Sequence, residues 1–374
     1  MAGLADSLRM KPASPSLLPS LSIVLATYNG ERYLRQQLES LAAQTVSPCE
    51  LIVSDDGSGD RTIAILTAFA AAAPFPVRVL QHAERIGYAC NFLRAIRLCE
   101  GDAVAFCDQD DIWRPNKIER CCREFRRADV GLVVHEAEEV DAELAPCHVR
   151  LPGLRRSAVL PKGRVHPRCD WPMGCVMVVR RRVLQEVVRV WPAEHARHLL
   201  RPDTPHLVGH DSATYFVARS LAAVSYIAEP LILHRRHANN VTGPRVHFTD
   251  SLHASVHTGA HAYRMLAKHA SAASELYAAM AAEAQNRDLE RDLRRVASRF
   301  RRRAGSLEAR AALYSTRPRQ GRIQAMARMA RAGMYDAVRR GGIGRRAMAK
   351  DLLWAVLAGG EAARRDRGRD GESR

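Results

Sequence analysis

Three aspartates lie within four positions of the segment FCDQDDIW, residues 106–113, directly behind an apolar run. As neighbouring anions, Asp108, Asp110 and Asp111 repel one another unless a cation compensates them. Carboxylate oxygens are ligands that Mg²⁺ and Mn²⁺ prefer, together with phosphate oxygens. The spacing Asp108-x-Asp110 therefore predicts a site for Mg²⁺ or Mn²⁺, with Asp111 as the cap of the next helix. The alternative interpretation is a solvated acidic turn before a helix that begins near Pro115.

A second acidic pair, Asp55 and Asp56, follows another apolar run in CELIVSDDGSGD, residues 49–60. One interpretation is structural, because Asp and Ser cap helices and Gly forms turns. The other is functional, with a carboxylate that binds the base or ribose of a nucleotide. No GxGxxG motif follows the first strand and there is no P-loop, which argues against a dinucleotide fold, an ATPase and a kinase.

Alternating strands and helices must position these acids. Apolar runs predict strands over 21–29, 49–60, 77–83 and 103–111, and helical periodicity predicts helices over 30–44, 61–74 and 88–101. This alternation is typical of a mostly parallel central sheet flanked by helices, an α/β fold. Ligands bind beyond the carboxyl ends of such strands. We therefore expect the polar residues 27–29, the pair 55–56 and the aspartates after residue 107 to converge on one edge.

The patterns weaken after residue 130. We expect a strand over 131–140, loop over 141–170 and a strand leading into a helix over 174–191. A helix and a strand follow over 209–227, and another polar-ended segment covers 229–243.

Composition limits the class of protein. Hydrophobic residues are 47% of the 374, enough for a large core. No stretch reaches the roughly 20 apolar residues of a transmembrane helix, and the N-terminus lacks a cleavage site for a signal peptide. The nine cysteines are odd in number and contain no CxxC pair, so their spacing predicts no zinc site. We expect a cytoplasmic protein.

The net charge of +17 is concentrated in the C-terminal part. Residues 291–374 contain 23 Lys and Arg against 8 Asp and Glu, a difference of +15. Arg-rich amphipathic helices adsorb to anionic membrane surfaces, so we consider a peripheral location on the inner face of the cell membrane. The alternative is a solvated helical appendage. Without aromatic interleaving or a known module, we expect no nucleic-acid partner.

Six segments, in this order, resemble the family 2 glycosyltransferases and their rhamnosyltransferase-like branch in bacterial surface polysaccharide synthesis. They read SIVLATYNGERYLRQQLESLAAQT, ELIVSDDGSGDRT, ERIGYACNFLRAI, FCDQDDIW, GHDSATYF and EPLILHRRHANNVTG. The resemblance implies a GT-A fold and a hexosyltransferase that uses a UDP- or dTDP-sugar and a divalent metal, and its branch implies rhamnose as one sugar to consider. It also implies a catalytic domain over 21–245. Composition predicts a disordered Pro/Ser-rich leader over 1–20 and a helical Arg-rich region over 246–374.

The resemblance also implies roles for single residues. It assigns nucleotide binding to Thr27, Tyr28, Asn29, Asp55, Asp56, Arg85 and Asp108, with Asp56 preferred to Asp55 for the base. It assigns the metal to Asp108 and Asp110, the general base to Asp211, the diphosphate to Arg235, Arg236 and His237, and the acceptor pocket to Trp171, Met173 and Gly174. His234 stands where the family more often has Tyr, which leaves its role open.

These residue types suit sugar transfer. Charge develops on the departing phosphate, where a metal and fixed cations stabilise it. The acceptor hydroxyl of a glycan or lipid-linked glycan loses its proton to a carboxylate, and one base without a protein nucleophile predicts inversion. A nucleotidylyltransferase would need a Gly-rich basic loop that ATYNGERYL lacks. A catalytically inactive nucleotide-sugar-binding or membrane-surface scaffold protein is the alternative.

Overall fold

A computed structural model of the chain describes residues 18–169, 172–191, 209–238, 240, 260–316, 319–336, 342–344, 347–349 and 351–352. Trp171, most of the expected leader and the end of the expected catalytic domain lie outside these residues.

Within the described residues, ten strands form one sheet. They are β1 Leu21–Thr27, β2 Glu50–Asp55, β3 Val77–Gln81, β4 Ala103–Cys107, β5 Ile112–Trp113, β6 Val130–Val140, β7 Pro146–Leu151, β8 Ala158–Leu160, β9 Met177–Arg180 and β10 Ala223–Arg235. The helices are α1 Leu34–Ala42, α2 Thr62–Ala72, α3 Tyr88–Ile96, α4 Lys117–Glu124, α5 Arg181–Val190, α6 His210–Leu221, α7 Ala260–Glu283, α8 Arg287–Ser315 and α9 Arg319–Arg331.

The first half of the sheet is parallel. β1 lies between β2 and β4, with Val24 opposite both Ile52 and Phe106, and β3 extends the sheet beyond β2. These three residues are fully buried, as expected for strands covered on both faces. The chain adds β2 and β3 on one side of β1 and then returns to the other side with β4. The gap beyond the carboxyl ends of β1 and β4 is therefore a topological switch point, where such sheets bind ligands.

The second half of the sheet is mixed. β9 is antiparallel to both β4 and β6, whereas β6 and the long β10 run parallel. β7 and β8 lie in residues 141–170, where the sequence predicts loop, so that prediction is wrong there. Their side chains are exposed or half-buried, and such strands lack the apolar pattern that identifies a strand from sequence.

The C-terminal helices share the core of the sheet. Tyr277 of α7 packs edge-on against Phe216 of α6 at 5.3 Å between ring centroids and stacks on Phe300 of α8 at 5.6 Å. Ser274 Oγ donates to the backbone oxygen of Ala297 at 2.9 Å, which joins α7 to α8. Helix α6 is thus held from its outer side by this hairpin. Among the helices that the structure describes, none has the length and apolar character needed to cross a bilayer.

Removal of the Tyr277 ring should loosen α6. We expect Tyr277→Ala to lower the free energy of unfolding by about 3–5 kcal/mol, because the cavity left between three helices cannot fully collapse. Guanidinium denaturation followed by circular dichroism measures this loss. Tyr277→Phe is the matched control, since it keeps the stacked ring, and it should remain within about 1 kcal/mol of the wild type. Equal midpoints for the alanine variant and the wild type would contradict the packing role.

Candidate functional site

A cavity of about 1280 Å³ opens beyond the carboxyl ends of β1, β2 and β4. It brings together most of the residues that the sequence singles out. Those in its lining are Thr27, Tyr28, Asn29, Asp56, Arg85, Asp108, Asp110, Met173, Gly174, Asp211, His234 and His237. Asp55, Arg235 and Arg236 are described but do not line it. Trp171 lies outside the described residues.

Asp55 holds the loop after β2. Its carboxylate accepts hydrogen bonds from the Thr27 hydroxyl at 2.7 Å, from the Ser58 hydroxyl at 2.6 Å and from the Ser58 backbone N–H at 2.8 Å. The side chain is fully buried. This position differs from the expected contact with a nucleotide and gives Asp55 a structural role.

Asp56 and Arg85 form one wall of the cavity. The backbone N–H groups of Ile86 and Gly87 donate to the Asp56 carboxylate at 2.6 and 3.0 Å. The Arg85 guanidinium lies 4.0 Å from the centre of the Tyr28 ring, a cation–π contact. A carboxylate beside a stacked aromatic ring and guanidinium suits the binding of a planar, hydrogen-bonding group such as a nucleotide base.

Gln109 joins the loop after β4 to the loop after β1. The Tyr28 N–H donates to Gln109 Oε1 at 2.9 Å, and Gln109 Nε2 donates back to the Tyr28 oxygen at 3.1 Å. Asn29 has a φ of 47°, a left-handed conformation that Asn tolerates better than most residues. Its side-chain oxygen accepts from the Gly59 N–H at 2.9 Å. The sequence analysis did not single out Gln109, although it lies between Asp108 and Asp110.

The three aspartates after β4 have different surroundings. Burial, together with the charges of Asp111 and Asp110, raises the pKa of Asp108 to about 8. Asp110 Oδ2 pairs with His237 Nε2 at 2.8 Å. Asp111 is fully buried and accepts from His234 Nδ1 at 3.0 Å and from the Arg235 N–H at 3.2 Å.

One expectation for this segment is wrong, and one open role is now defined. Asp111 does not cap the following helix, because Asn116 occupies the N-cap of α4 and Asp111 is paired inside the protein. His234 has a defined partner there. Although burial opposes its protonation, Asp111 raises the pKa of His234 to about 9, so the imidazole is protonated at neutral pH.

Arg235 links the loops around the site by hydrogen bonds. Its side chain donates to the Asp110 oxygen at 2.9 Å, the Ala142 oxygen at 2.6 Å and Gln36 Oε1 at 2.7 Å. It is 2% exposed. Arg236 Nε lies 4.0 Å from Glu139 Oε1. Of the three residues expected at the diphosphate, only His237 lines the cavity.

Asp108 and Asp110 fit a hard divalent cation. Both line the cavity and both offer carboxylate oxygens, and the negative charge of neighbouring aspartates, which adds to burial in raising the pKa of Asp108, is what a cation would compensate. The oxygen-only donor set suits Mg²⁺ or Mn²⁺.

Asp211 lines the same cavity from the first turn of α6. Its Oδ1 accepts from the Ser212 N–H at 2.7 Å, and burial raises its pKa to about 6. A Cβ built on Gly209, the N-cap, would lie 2.5 Å from Asp211 Oδ1 and 2.8 Å from the Tyr88 hydroxyl. Both polar groups therefore converge on this glycine, which leaves them room. A carboxylate with a pKa just below neutrality can accept a proton from a hydroxyl.

His210 and Tyr88 were missed from the sequence. His210 is 4% exposed, stacks on Phe92 at 3.9 Å between centroids, and has no hydrogen-bond partner on either ring nitrogen among the described residues. Burial lowers its pKa to about 3, so the ring is neutral. The position of His210 next to Asp211 in the GHD motif could have identified it as a site residue. No sequence pattern identified Tyr88.

Comparisons with known proteins agree with this geometry. Residues 22–188 match the family model described as Glycosyl transferase family 2. An uncharacterized glycosyltransferase of Nostoc sp. is 26% identical over 226 residues, which are 59% of this chain and 66% of that protein. The dTDP-rhamnosyl transferase RfbG of Shigella flexneri is 28% identical over 235 residues, which are 60% of this chain and 75% of that protein. The chain thus spans just under two thirds of the Nostoc relative and more of the second.

A solved structure shares the fold. Residues 1–349 of S. aureus TarS, in complex with UDP-GlcNAc, align with a TM-score of 0.53 and 14% identity over 90% of this chain and 91% of that chain. At this identity the likeness shows the fold alone. It confirms the expected α/β fold of GT-A type.

The Gln109 bridge can be tested at Gly30. A Cβ on Gly30 would overlap Gln109 Oε1 and displace the amide from Tyr28. We expect Gly30→Ala to lower the free energy of unfolding by about 1–3 kcal/mol, since two hydrogen bonds are lost or distorted. Gly59→Ala is the matched control, because nothing lies within 4 Å of its Cβ position. Thermal unfolding of both variants decides the point, and equal stabilities would refute the bridge.

Proposed function

We propose that this chain moves a sugar from a nucleoside-diphosphate donor to a hydroxyl of a glycan or lipid-linked glycan in cell-surface polysaccharide synthesis, since its residues 22–188 match the family model described as Glycosyl transferase family 2. One observation carries the proposal. Asp56, Asp108, Asp110 and Asp211, which come from three separate segments, line one cavity at the switch point of the sheet. The catalytic domain begins at about residue 21 in this proposal and needs β10, which extends to Arg235.

The donor nucleotide would lie against the wall formed by Tyr28, Asp56 and Arg85. The two backbone N–H groups bound to Asp56 fix its carboxylate, which is then oriented to accept an N–H group of the base. The stacked Tyr28 and Arg85 offer a flat, positively charged surface. Thr27 and Asn29 complete the pocket, and Asp108 lies where it can accept a ribose hydroxyl.

The diphosphate would lie between Asp108, Asp110 and the cations of the lining. Asp108 and Asp110 would hold Mg²⁺ or Mn²⁺. When bound, such a cation neutralises charge on the leaving phosphate. Arg32, Arg85 and Arg94 also line the cavity, and they replace the buried Arg235 as the cations available to phosphate.

Asp211 would act as the general base. Its carboxylate accepts the proton of the acceptor hydroxyl while the sugar leaves the diphosphate, a direct displacement that inverts the anomeric centre. Met173 and Gly174 line the same side of the cavity and would border the acceptor. Gly174 lies close to His210, since a Cβ there would come within 2.7 Å of His210 Nε2. The His210 imidazole is neutral and has no hydrogen-bond partner in the part of the chain that the structure describes, so it is available to a sugar hydroxyl.

The descriptions of similar proteins limit the nucleotide sugars that we consider as donors. The Shigella protein is described as a dTDP-rhamnosyl transferase, and TarS was solved with UDP-GlcNAc. We propose a dTDP- or UDP-sugar for this chain, with rhamnose as the first sugar to test. The difference of +15 in residues 291–374 supports a cytoplasmic protein that binds the anionic inner face of the membrane, where a lipid-linked acceptor would reside.

The donor site predicts metal-dependent nucleotide binding. We expect UDP or dTDP, with Mn²⁺, to raise the melting temperature of the wild type, because a ligand that binds only the native state stabilises it. In Asp110→Asn the metal-dependent part should disappear. Asp129→Asn, an exposed aspartate paired with Arg127, is the matched control and should respond like the wild type. A wild type that responds to no nucleoside diphosphate or nucleotide sugar, with or without metal, would refute the proposed donor site.

The base predicts a loss of rate without a loss of donor binding. We expect Asp211→Asn to lower kcat by about 10²–10⁴-fold while the nucleotide shift is kept. Since the ionised carboxylate is the active form and the pKa of Asp211 is about 6, kcat of the wild type should rise with pH up to about 6 and then level off. A variant with nearly full kcat, or a wild-type profile that falls across this range, would exclude Asp211 as the base.

A further inference from the structure

A second group of metal-ligating side chains lies in the wall of the cavity, beside Asp108 and Asp110. One ligand atom from each of Asp111, Cys175 and His234 lies within 4.8 Å of the other two. All three side chains are buried, and Cys175 and His234 also line the cavity. The residues come from three distant segments, so the spacing of the cysteines could not reveal the group.

The cluster has unused ligand capacity. Asp111 Oδ2 and His234 Nε2 have no hydrogen-bond partner among the described residues. A buried polar atom left in this state costs about 1–3 kcal/mol. The ammonium of Lys117, which is buried nearby, donates to the backbone oxygen of Cys175 at 2.9 Å and not to its thiol.

The donor set differs in kind from that of Asp108 and Asp110. A thiolate, an imidazole and a carboxylate suit Zn²⁺, whereas Mg²⁺ and Mn²⁺ prefer oxygen alone. Three protein ligands also leave a fourth position of a tetrahedral site for water or a ligand. Because Cys175 and His234 line the cavity, that position would face it.

We propose that Asp111, Cys175 and His234 form a site for Zn²⁺, separate from the oxygen site of Asp108 and Asp110. Binding at the Cys175 sulfur and at His234 Nε2 displaces the thiol proton and the Nε2 proton, so two protons are released for each cation bound, while His234 Nδ1–H still donates to Asp111 Oδ1. The site would join the end of β10 to the loop after β4 through a metal. It does not depend on the transfer reaction and can exist whether or not sugar transfer is the function.

Cobalt is the probe, because a Co²⁺–thiolate bond gives a charge-transfer absorption in the near ultraviolet. The full chain, reduced and freed of metal by a chelator, is titrated with Co²⁺. We expect the band to saturate at one equivalent, to persist in excess Mg²⁺ and to disappear when Zn²⁺ is added. The absence of a saturable band in the wild type would overturn the proposal. Nucleotide binding, measured separately, reports on the proposed function alone.

Two cysteine variants locate the ligand. Cys175→Ser should abolish the band, whereas Cys122→Ser, a buried cysteine of α4, is the matched control and should keep it. A band that persists in Cys175→Ser would overturn the site. If that variant does not fold, alkylation of the wild type with and without Zn²⁺, mapped by peptide mass spectrometry, gives the answer. Zn²⁺ should slow the labelling of Cys175, and an unchanged rate would equally overturn it.

Discussion

The crowding of negative charge at the end of β4 is the constraint on which the site depends. Asp108, Asp110 and Asp111 lie within four residues, and two neighbours from the end of β10 and beyond compensate them. His234 pairs with Asp111, and His237 pairs with Asp110. A histidine remains a weaker compensation than a divalent cation, and the pKa of Asp108 is still raised to about 8. A divalent cation held by Asp108 and Asp110 would compensate this negative charge.

The same strand end supplies mechanical support. Arg235, between the two histidines, uses its guanidinium on three acceptors from separate segments and keeps it out of the cavity. Gln109 links the loops after β1 and β4 in a similar way, through its two hydrogen bonds to the backbone of Tyr28. Polar groups with several hydrogen bonds therefore fix the loops, while His210, which has no hydrogen-bond partner among the described residues, faces the cavity. This division separates residues that build the site from residues that can act in it.

Much of the fold and of the cavity lining could be predicted from the sequence, because parallel strands that are buried on both faces appear as continuous apolar runs. The order of strands, their polar ends and the convergence of acids at one edge follow from that pattern. The role of each neighbour in LHRRH did not follow. β10 pairs with β6 through bulges, which disturb the alternation of its side chains, so the sequence could not tell that Arg235 turns inward and His237 faces the cavity. Asp55 and Asp56 were ambiguous for a related reason, since the strand ends between them. The cluster of Asp111, Cys175 and His234 depends on tertiary contacts alone.

The packing of α7 and α8 on α6 sets the smallest unit that can work by itself. The family model ends at residue 188, yet Asp211 and His234 come later in the chain. The outer face of α6 is covered by Tyr277 and, behind it, Phe300. A chain shortened to the matched region would lose the proposed base, and one shortened after β10 would expose the apolar face of α6 to water. The smallest working unit of this protein is therefore defined by its shared hydrophobic core and not by the residues that match the family model. Helices α7 and α8 belong to that unit.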